Sequence, residues 1–288
     1  IHGNPASKTL PSGITLYSLY DPLGRLLLQK SSDGSIHTRY TYDTGLQPLL
    51  IEDSVHNLSL RRTYTPFGEL SSETHSCGLR TLHSYDKLGR RIQMTLTDHS
   101  TIRYHYQGLY LAAVERPCYT HHYTAFDPNG HVTTEILPFH LGRIHTTHDL
   151  LERPSFQITP WYTQTRAYTP HGLVCHQTNT LLGDKQFTYD PLSQLTSENT
   201  TLYHFDSIGN PTAYQTNALN QVLSTSNMRF TYDLDGNPTQ RETSEGTTHY
   251  TYDALGRLTA ITTPTHTTHY TYDPLSRLLS KEEHQPHI

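Results

Sequence analysis

Histidine is the residue type in this sequence with the greatest capacity for chemistry, because imidazole binds metals and exchanges protons near neutral pH. There are 21 His in 288 residues, with close pairs at His121-His122, His145 and His148, and His266 and His269. Two ligands on one strand share a face only when they are two residues apart, whereas these pairs are adjacent or three apart. The sequence therefore predicts structural or surface histidines, with no metal site and no cofactor.

The other reactive residue types also lack a pattern typical of catalysis. The three cysteines, Cys77, Cys118 and Cys175, are an odd number and cannot form a complete disulfide framework, so we expect free thiols. The segment from Asp233 to Asn237 resembles a calcium loop only in part, since its Gly is fourth and not sixth. No nucleophile elbow, zinc-protease motif, Walker loop or dinucleotide fingerprint is present, and we expect no enzyme.

A repeat of about 20 residues organises the whole chain. The stretch YTYDALGR at 250–257 returns as YTYDPLSR at 270–277. Related units begin at Tyr20, Tyr42, Tyr64, Tyr85, Tyr106, Phe126, His148, Tyr168, Tyr189, Phe205, Thr216, Tyr232, Tyr252 and Tyr272. Their steps are 20 to 22 residues, except for steps of 16, 11 and 16 between Tyr189 and Tyr232. The sequence predicts one array of repeats over 1–288 with an irregularity at 189–232.

Each unit has the residues of a β-hairpin. In Asp21-Pro22-Leu23-Gly24, Asp can bond to the backbone two residues on, Pro has φ near −65°, and Gly can take a positive φ. Alternating side chains precede and follow this turn, as in a strand with two different faces. Fourteen such units predict about 28 strands, with the tyrosines of successive units packing ring on ring.

The composition limits what these hairpins can enclose. Residues of the AVILMFWYC set make up only 34% of the chain, although it has 21 Tyr. A globular domain has roughly 45–50% apolar residues when Gly is included, so the apolar supply is small. A long twisted sheet must curl. We therefore predict an all-β fold: a spiral of antiparallel β-hairpins from ~20-residue repeats that forms a curved, hollow shell or barrel segment.

The residues that define each unit resemble the YD repeats of Rhs proteins, insecticidal toxin complexes, wall-associated bacterial proteins and teneurins. The resemblance covers essentially the whole chain. It rests on Tyr or Phe at the first position of most units, Asp at the second and Gly at the fifth. It implies a β-strand shell, which in the bacterial toxins surrounds a C-terminal toxic domain. The chain begins inside a unit and lacks the self-cleavage motif expected after the last repeats, so we interpret it as a piece of a longer protein and predict no self-cleavage.

The repeat turns are the predicted site, with a structural role. Their residues are Tyr20, Asp21, Gly24, Arg25, Tyr85, Asp86, Gly89, Arg90, Tyr232, Asp233, Gly236, Tyr252, Asp253, Gly256, Arg257, Tyr272, Asp273 and Arg277. If the fifth position takes a positive φ, Gly256→Ala should destabilise the turn while Ser276→Ala should not.

Two functions fit these observations. The first is a shell segment that encloses and shields a C-terminal toxin or effector domain, with that domain and neighbouring repeats as its partners. The alternative is a secreted or cell-surface adhesion module that binds a glycan or a cell-surface protein. The net charge of −5 gives no basic surface for nucleic acid, and no apolar run is long enough to span a membrane. The resemblance places the full-length protein outside the cell or at its surface.

Overall fold

The computed structural model describes residues 4–284, and antiparallel strands make up most of them. Within that range there are 28 strands and no α-helix; the other regular element is a short 3-10 helix, Pro138–His140. The strands in the first half of the chain are β1 Ser7–Thr9, β2 Thr15–Tyr20, β3 Leu26–Ser31, β4 His37–Tyr42, β5 Pro48–Asp53, β6 Leu58–Tyr64, β7 Leu70–His75, β8 Arg80–Tyr85, β9 Arg91–Thr95, β10 Thr101–Gln107, β11 Tyr110–Arg116, β12 Tyr119–Phe126, β13 Val132–Ile136 and β14 Arg143–His148. Those in the second half are β15 Pro154–Ile158, β16 Thr163–Tyr168, β17 Val174–Asn179, β18 Lys185–Tyr189, β19 Leu195–Glu198, β20 Thr201–Leu202, β21 Gln215–Thr216, β22 Val222–Ser224, β23 Arg229–Tyr232, β24 Pro238–Thr243, β25 Gly246–Tyr252, β26 Leu258–Thr262, β27 Thr267–Tyr272 and β28 Leu278–His284.

Strands pair with their neighbours in the chain, as hairpin formation requires. β25 pairs with β26 from His249 opposite Thr262 to Tyr252 opposite Leu258, and β26 then pairs with β27. Period-2 alternation of side chains along β25 gives it two distinct faces, and the turns at both ends reverse the chain. The predicted all-β array of antiparallel hairpins is confirmed.

A β-bulge recurs beside the first residue of most units. In the hairpin of β2 and β3, Leu19 faces Leu28 while Tyr20 faces Leu26, so β3 carries one extra residue opposite the tyrosine. The same register shift occurs next to Tyr42, Tyr64 and Tyr252, among others. Bulges of this kind bend a strand pair and increase its twist. The repeat therefore places a bend at the same point of successive hairpins.

The chain divides into two compact units. Unit 1 consists of Ile1–Thr81 together with Ala213–Ile288, and unit 2 is Leu82–Thr212. The first boundary falls inside β8. Unit 2 is a single run of hairpins that includes the 3-10 helix, and its buried side chains include Ile102, Ala113 and the hydrogen-bonded pair Gln164 and Asn179.

Unit 1 brings the first and last repeats into contact. The backbone N–H of Ser12 donates to Asp235 Oδ1 (2.9 Å), and the N–H of Ala254 donates to Ser35 Oγ (3.0 Å). Arg277 Nη2 lies 2.6 Å from Glu73 Oε1. The two segments of unit 1, Ile1–Thr81 and Ala213–Ile288, are called its two runs. The partners are 223, 219 and 204 residues apart and follow the same order in both runs. Within unit 1 the two runs therefore lie side by side in parallel chain order.

Pairing stops in the segment where the repeat spacing is irregular. β1–β20 belong to one sheet and β21–β28 to another, and neither sheet closes on itself among the described residues. The first sheet ends at the two-residue strand β20 and the second begins at the two-residue strand β21, and an isolated bridge of Phe205 with Pro211 lies between them. The shortened steps leave too few residues for a full hairpin.

Most side chains on the strands are only partly covered. Along β8, exposed residues alternate with half-buried ones. The buried hydrophobic residues of the described chain are Ile36, Ile51, Leu60, Ile102, Ala113 and Ala254. Buried apolar side chains are therefore few among the described residues, in agreement with the small apolar content of the sequence.

Candidate functional site: the repeated Asp–Arg–Tyr turn

Each repeat turn is organised by the carboxylate of its aspartate. Asp253 Oδ1 accepts hydrogen bonds from the backbone N–H groups of Leu255 (2.9 Å) and Arg257 (3.0 Å). The N–H of Gly256 donates to the carbonyl of Asp253 (2.9 Å), and Gly256 has φ +72°. This is a type I turn followed by one left-handed residue, a common three-residue hairpin connection.

The left-handed position is retained where glycine is replaced. Gly24, Gly89 and Gly236 have φ of +80°, +74° and +92°. The equivalent residues in other units are Glu152, Ser193, Asn220 and Ser276, with φ between +60° and +66°. A side chain in this region is unfavourable, so the rest of the turn must hold it there.

The second carboxylate oxygen binds the arginine four residues later. Asp253 Oδ2 accepts from Arg257 Nε at 2.6 Å. The same contact joins Asp21 to Arg25, Asp86 to Arg90, Asp149 to Arg153 and Asp273 to Arg277. One oxygen thus fixes the backbone of the turn while the other fixes the direction of the guanidinium.

The oriented guanidinium lies on the tyrosine that begins the next repeat. The Arg Cζ to ring-centroid distances are 4.9 Å for Arg25 on Tyr42, 4.3 Å for Arg90 on Tyr106, 4.3 Å for Arg153 on Tyr168 and 5.2 Å for Arg257 on Tyr272. These are cation–π distances. The sequence predicted that the tyrosines would pack ring on ring; at these positions an arginine lies against the ring instead.

The tyrosine hydroxyl completes the link between repeats. Tyr272 Oη donates to the carbonyl of Leu258 (2.9 Å), the first residue of β26. Tyr42, Tyr106 and Tyr168 make the equivalent bond to Leu26, Arg91 and Pro154. We name the turn Asp, its Arg and the Tyr of the next repeat the Asp–Arg–Tyr clasp. Each clasp joins two consecutive repeats through side chains, in addition to the strand pairing.

The electrostatics of the clasp favour the ion pair. In Asp149, hydrogen bonds from the Arg153 side chain outweigh burial and lower the pKa of the carboxyl below its usual value. Burial raises the pKa of the Tyr42 phenol, and the nearby charge of Arg25 only partly opposes that effect. The aspartate is therefore ionised and the tyrosine neutral at pH 7. With every reactive group already paired, the clasp is suited to holding repeats together.

The predicted site residues fall into complete and partial clasps. The turns that contain Asp21, Asp86 and Asp253 are complete. In the turn of Asp233, the position of the arginine is taken by Asn237, whose Nδ2 donates to Asp233 Oδ2 (3.0 Å) and which has no guanidinium to place on the next ring. Arg277 binds Asp273 but also reaches the other run of unit 1.

Sequence reasoning missed the buried glutamate that Arg277 contacts. Glu73 Oε2 lies 2.7 Å from Arg62 Nη2, and Oε1 lies 2.6 Å from Arg277 Nη2. Burial disfavours the charged form of Glu73, but hydrogen bonds from Arg277 and Arg62 outweigh it and lower the pKa of the carboxyl. No local signal could have indicated this cluster, because Glu73 and Arg277 are 204 residues apart.

A turn with little sequence similarity keeps the same local geometry. In the unit that begins at Thr216, Asn217 Oδ1 accepts from the N–H groups of Leu219 (2.9 Å) and Gln221 (3.0 Å). Asn220 takes the left-handed position with φ +60°. Asparagine replaces the acceptor of aspartate and also tolerates a positive φ, so the turn forms without Asp or Gly.

The remaining sequence expectations concern the cysteines and the membrane. All three cysteines are free, with Cys77 and Cys118 exposed and Cys175 partly buried. Within residues 4–284, no helix has the length and apolar character needed to cross a membrane.

Comparison with known protein families matches residues 156–288 to the model of the teneurin YD-shell. Residues 156–288 therefore resemble the YD-shell family. The resemblance predicted from the Tyr-Asp and Gly positions is confirmed. No curated protein matches the chain in sequence.

A solved structure shares the fold of this chain, and others resemble it less closely. The crystal structure of TcdB2-TccC3 without its hypervariable C-terminal region matches with a TM-score of 0.56 and 14% identity, over 95% of this chain and 18% of that chain. The crystal structure of TcdB2-TccC3-Cdc42 matches with a TM-score of 0.44 and 13% identity, over 96% of this chain and 22% of that chain. The structure of a Photorhabdus luminescens Tc holotoxin pore with a mutated TccC3 matches with a TM-score of 0.40 and 13% identity, over 96% of this chain and 22% of that chain. The chain thus spans about a fifth of the length of the structures it matches.

Proposed function

We propose that this chain is a segment of a structural shell in which YD repeats form a wall around a C-terminal toxin or effector domain of a longer protein. The observation that carries the proposal is the Asp–Arg–Tyr clasp, which recurs at the repeat spacing in both units. It stabilises a sheet by joining each hairpin to the next. A protein held together in this way does not need an apolar core.

The burial of the strands supports a wall more than a filled domain. In β8 and β2 one face is exposed and the other is half-buried. In a filled sandwich, the inner faces would interdigitate about 10 Å apart and be fully buried. A half-buried face is suited to lining a space that holds something else. We infer that this face lines the shell and that the role of the chain is non-catalytic.

The neighbouring repeats of the longer protein are proposed as partners. The second residue after the turn Asp, or its equivalent, is a large exposed apolar side chain in many units: Leu23, Phe67, Leu88, Leu151, Leu192, Ile208 and Leu219. The equivalent Leu255 is less exposed, at 38% compared with 92% for Phe67. Exposed apolar turns of this kind favour docking with another surface. We infer that further repeats cover some of them.

The solved structure with the higher TM-score supports the proposal by analogy. Its description refers to a hypervariable C-terminal region of TcdB2-TccC3. A shell that serves many different enclosed domains would leave its wall unchanged while the C-terminal region varies. By the same analogy, we propose that the full-length protein is secreted or displayed at the cell surface.

Limited proteolysis of the full-length natural protein tests enclosure. We expect the region that follows residue 288 to resist trypsin in the intact protein and to be cleaved rapidly when expressed alone. The double variant Asp253→Ala/Asp273→Ala, which removes two clasp carboxylates, should accelerate cleavage of that region. The matched control is Asp206→Ala, which removes a turn carboxylate that is exposed to solvent. Equal cleavage rates for the intact and isolated region would contradict enclosure.

The adhesion function remains the second candidate because the exposed apolar turn residues could equally bind a partner outside the protein. A glycan array and a cell-binding assay with the purified chain distinguish the two. Saturable binding that is lost in the double variant Phe67→Ser/Leu88→Ser would favour adhesion. Enclosure predicts no saturable binding by either assay.

A further inference from the structure

One clasp in unit 2 has its chemistry changed at two positions in contact. In the turn that begins at Asp127, His131 takes the place of the arginine, and the next unit begins with His148 in place of the tyrosine. The two imidazole rings lie 4.8 Å apart, centroid to centroid, at 39°. Among the fourteen units this is the one in which His occupies both positions. The geometry of the clasp is kept while its groups become metal ligands.

The carboxylate of Asp127 divides its bonds as in the other turns. Oδ1 accepts from the N–H groups of Asn129 (3.0 Å) and His131 (2.9 Å) and so fixes the backbone. Oδ2 faces both imidazoles, 3.1 Å from His131 Nδ1 and 3.3 Å from His148 Nδ1. The three ligand atoms lie within 4.8 Å of one another. Two atoms bound to one tetrahedral zinc, each about 2.0–2.1 Å from the metal, are about 3.3 Å apart.

His148 Nδ1 needs a partner that the protein does not supply well. The atom is buried and makes no hydrogen bond of normal geometry with the described residues, although Asp127 Oδ2 lies 3.3 Å away. Buried polar atoms are rarely left without a partner. A cation placed among Oδ2 and the two Nδ1 atoms would satisfy all three at once.

A second carboxylate is placed to orient one of the ligands. Glu152 Oε2 lies 3.6 Å from His131 Nε2, on the side of the ring away from Asp127. Histidines that bind metals commonly donate their other ring N–H to a carboxylate, which fixes the tautomer. We propose that Asp127, His131 and His148 bind Zn²⁺ and that Glu152 orients His131. Three protein ligands leave a fourth position for water.

This site would replace the cation–π contact of an ordinary clasp with a metal link. Asp127 and His131 belong to one repeat and His148 to the next, so the ion joins two repeats as the guanidinium does elsewhere. From the sequence, histidines were compared only within pairs whose two members lie on the same predicted strand. The ligand set found here combines a turn with the end of the neighbouring strand β14, which spacing along one strand cannot reveal.

The test measures binding of Zn²⁺ by calorimetry and of Co²⁺ by its visible d–d absorption to the purified chain. We expect one ion per chain and a raised Tm with Zn²⁺. His131→Gln and His148→Gln should each weaken binding at least tenfold, and Glu152→Gln about tenfold. The control His145→Gln changes an exposed histidine on the same strand as His148 and should bind as the wild type does.

A repeat-matched variant separates metal binding from folding. The double variant His131→Arg/His148→Tyr rebuilds the clasp found at Arg90 and Tyr106, so it should fold with an unchanged circular dichroism spectrum and lose both Co²⁺ absorption and the Zn²⁺-dependent Tm shift. Retention of wild-type metal binding in this variant would overturn the proposal. So would the absence of stoichiometric binding in the wild type.

Discussion

Two neighbouring stretches of the chain differ in how their repeats are joined. In 232–277 the units are 20 residues apart, the strands from β24 to β27 have five to seven residues, and Arg257 lies on Tyr272. In 189–232 the steps shorten to 16, 11 and 16, and the strands from β19 to β23 have two to four residues. The position of the arginine is taken there by Gln194, Asn210 and Gln221.

The difference separates the turn from the link between repeats. Asp206 Oδ1 still accepts from the N–H groups of Ile208 and Asn210, so the turn forms in the irregular stretch. Tyr232 Oη still donates to the carbonyl of Val222 (2.8 Å). What is missing is a guanidinium long enough to reach the next ring. Turn formation is therefore a local property, whereas the clasp requires both an arginine and regular spacing.

The largest expected effect comes from removing a carboxylate of a complete clasp. Asp253 has a side chain only 5% exposed, so Asp253→Ala leaves Arg257 and two backbone N–H groups without their acceptor. We expect a loss of about 2–4 kcal/mol in local opening free energy. Asp206→Ala, in the exposed turn, should lose much less, because water can replace the carboxylate as acceptor. Hydrogen exchange of peptides covering each turn measures both values, and equal losses would remove the distinction between the two stretches.

The next effect depends on pH. Because the pKa of Glu73 is lowered in the folded protein, its contribution is full above the unfolded-state pKa of about 4.3 and is lost progressively as pH falls from there through the lowered folded-state pKa. Glu73→Gln should therefore destabilise unit 1 by about 1–3 kcal/mol at pH 7 and by less at pH 3. Urea unfolding of the wild type and the variant at both pH values, monitored by pulsed hydrogen exchange in unit 1, measures the two losses of unfolding free energy. A pH-independent effect of the substitution would show that the ion pairs with Arg62 and Arg277 are not its cause.

A smaller effect is expected at the left-handed position of the turn. Gly256 has φ +72° and Ser276 has φ +63°, so the backbone is the same while only one residue already has a side chain. Gly256→Ala should cost about 1 kcal/mol, and Ser276→Ala should cost less than half of that. Local opening free energies from hydrogen exchange again provide the measurement. If both substitutions cost the same, backbone strain does not explain the preference for glycine.

The smallest effect concerns a single hydroxyl group. Tyr272→Phe removes the hydrogen bond to the carbonyl of Leu258 but keeps the ring beneath Arg257, and should cost about 0.5 kcal/mol. Tyr214, which is 44% exposed in the irregular stretch, is the control, and Tyr214→Phe should change the exchange rates little. If hydrogen exchange in β26 is unchanged after Tyr272→Phe, the hydroxyl contributes nothing to the link between repeats.

The sequence predicted the fold well because the information is local and repeated. The Asp and Gly positions of the turn, together with period-2 alternation, predicted hairpins, and the predicted number of about 28 strands agrees with the 28 in the described chain. The partner of each arginine could not be predicted in the same way. Tyr272 follows Arg257 by 15 residues, and only the register of the intervening hairpin, β26–β27, places its ring under the guanidinium.

Contacts between distant repeats were beyond any local signal. Glu73 looks like an ordinary charged residue of β7, and its burial depends on Arg277 of the other run in unit 1. The histidines show a related limit. Their spacing along one strand was considered, but the cluster of Asp127, His131 and His148 arises from a turn and the end of an adjacent strand. Side chains that meet through register require coordinates.

A double-mutant cycle at Arg257 and Tyr272 tests the central claim most directly. The variants Arg257→Ala, Tyr272→Ala and the double variant are compared with the wild type by hydrogen exchange of the peptides that cover β25–β27. If the clasp joins consecutive repeats, the two substitutions should be coupled by about 0.5–2 kcal/mol, the range of a partly desolvated cation–π contact. Additive effects, with a coupling within experimental error of zero, would contradict the account.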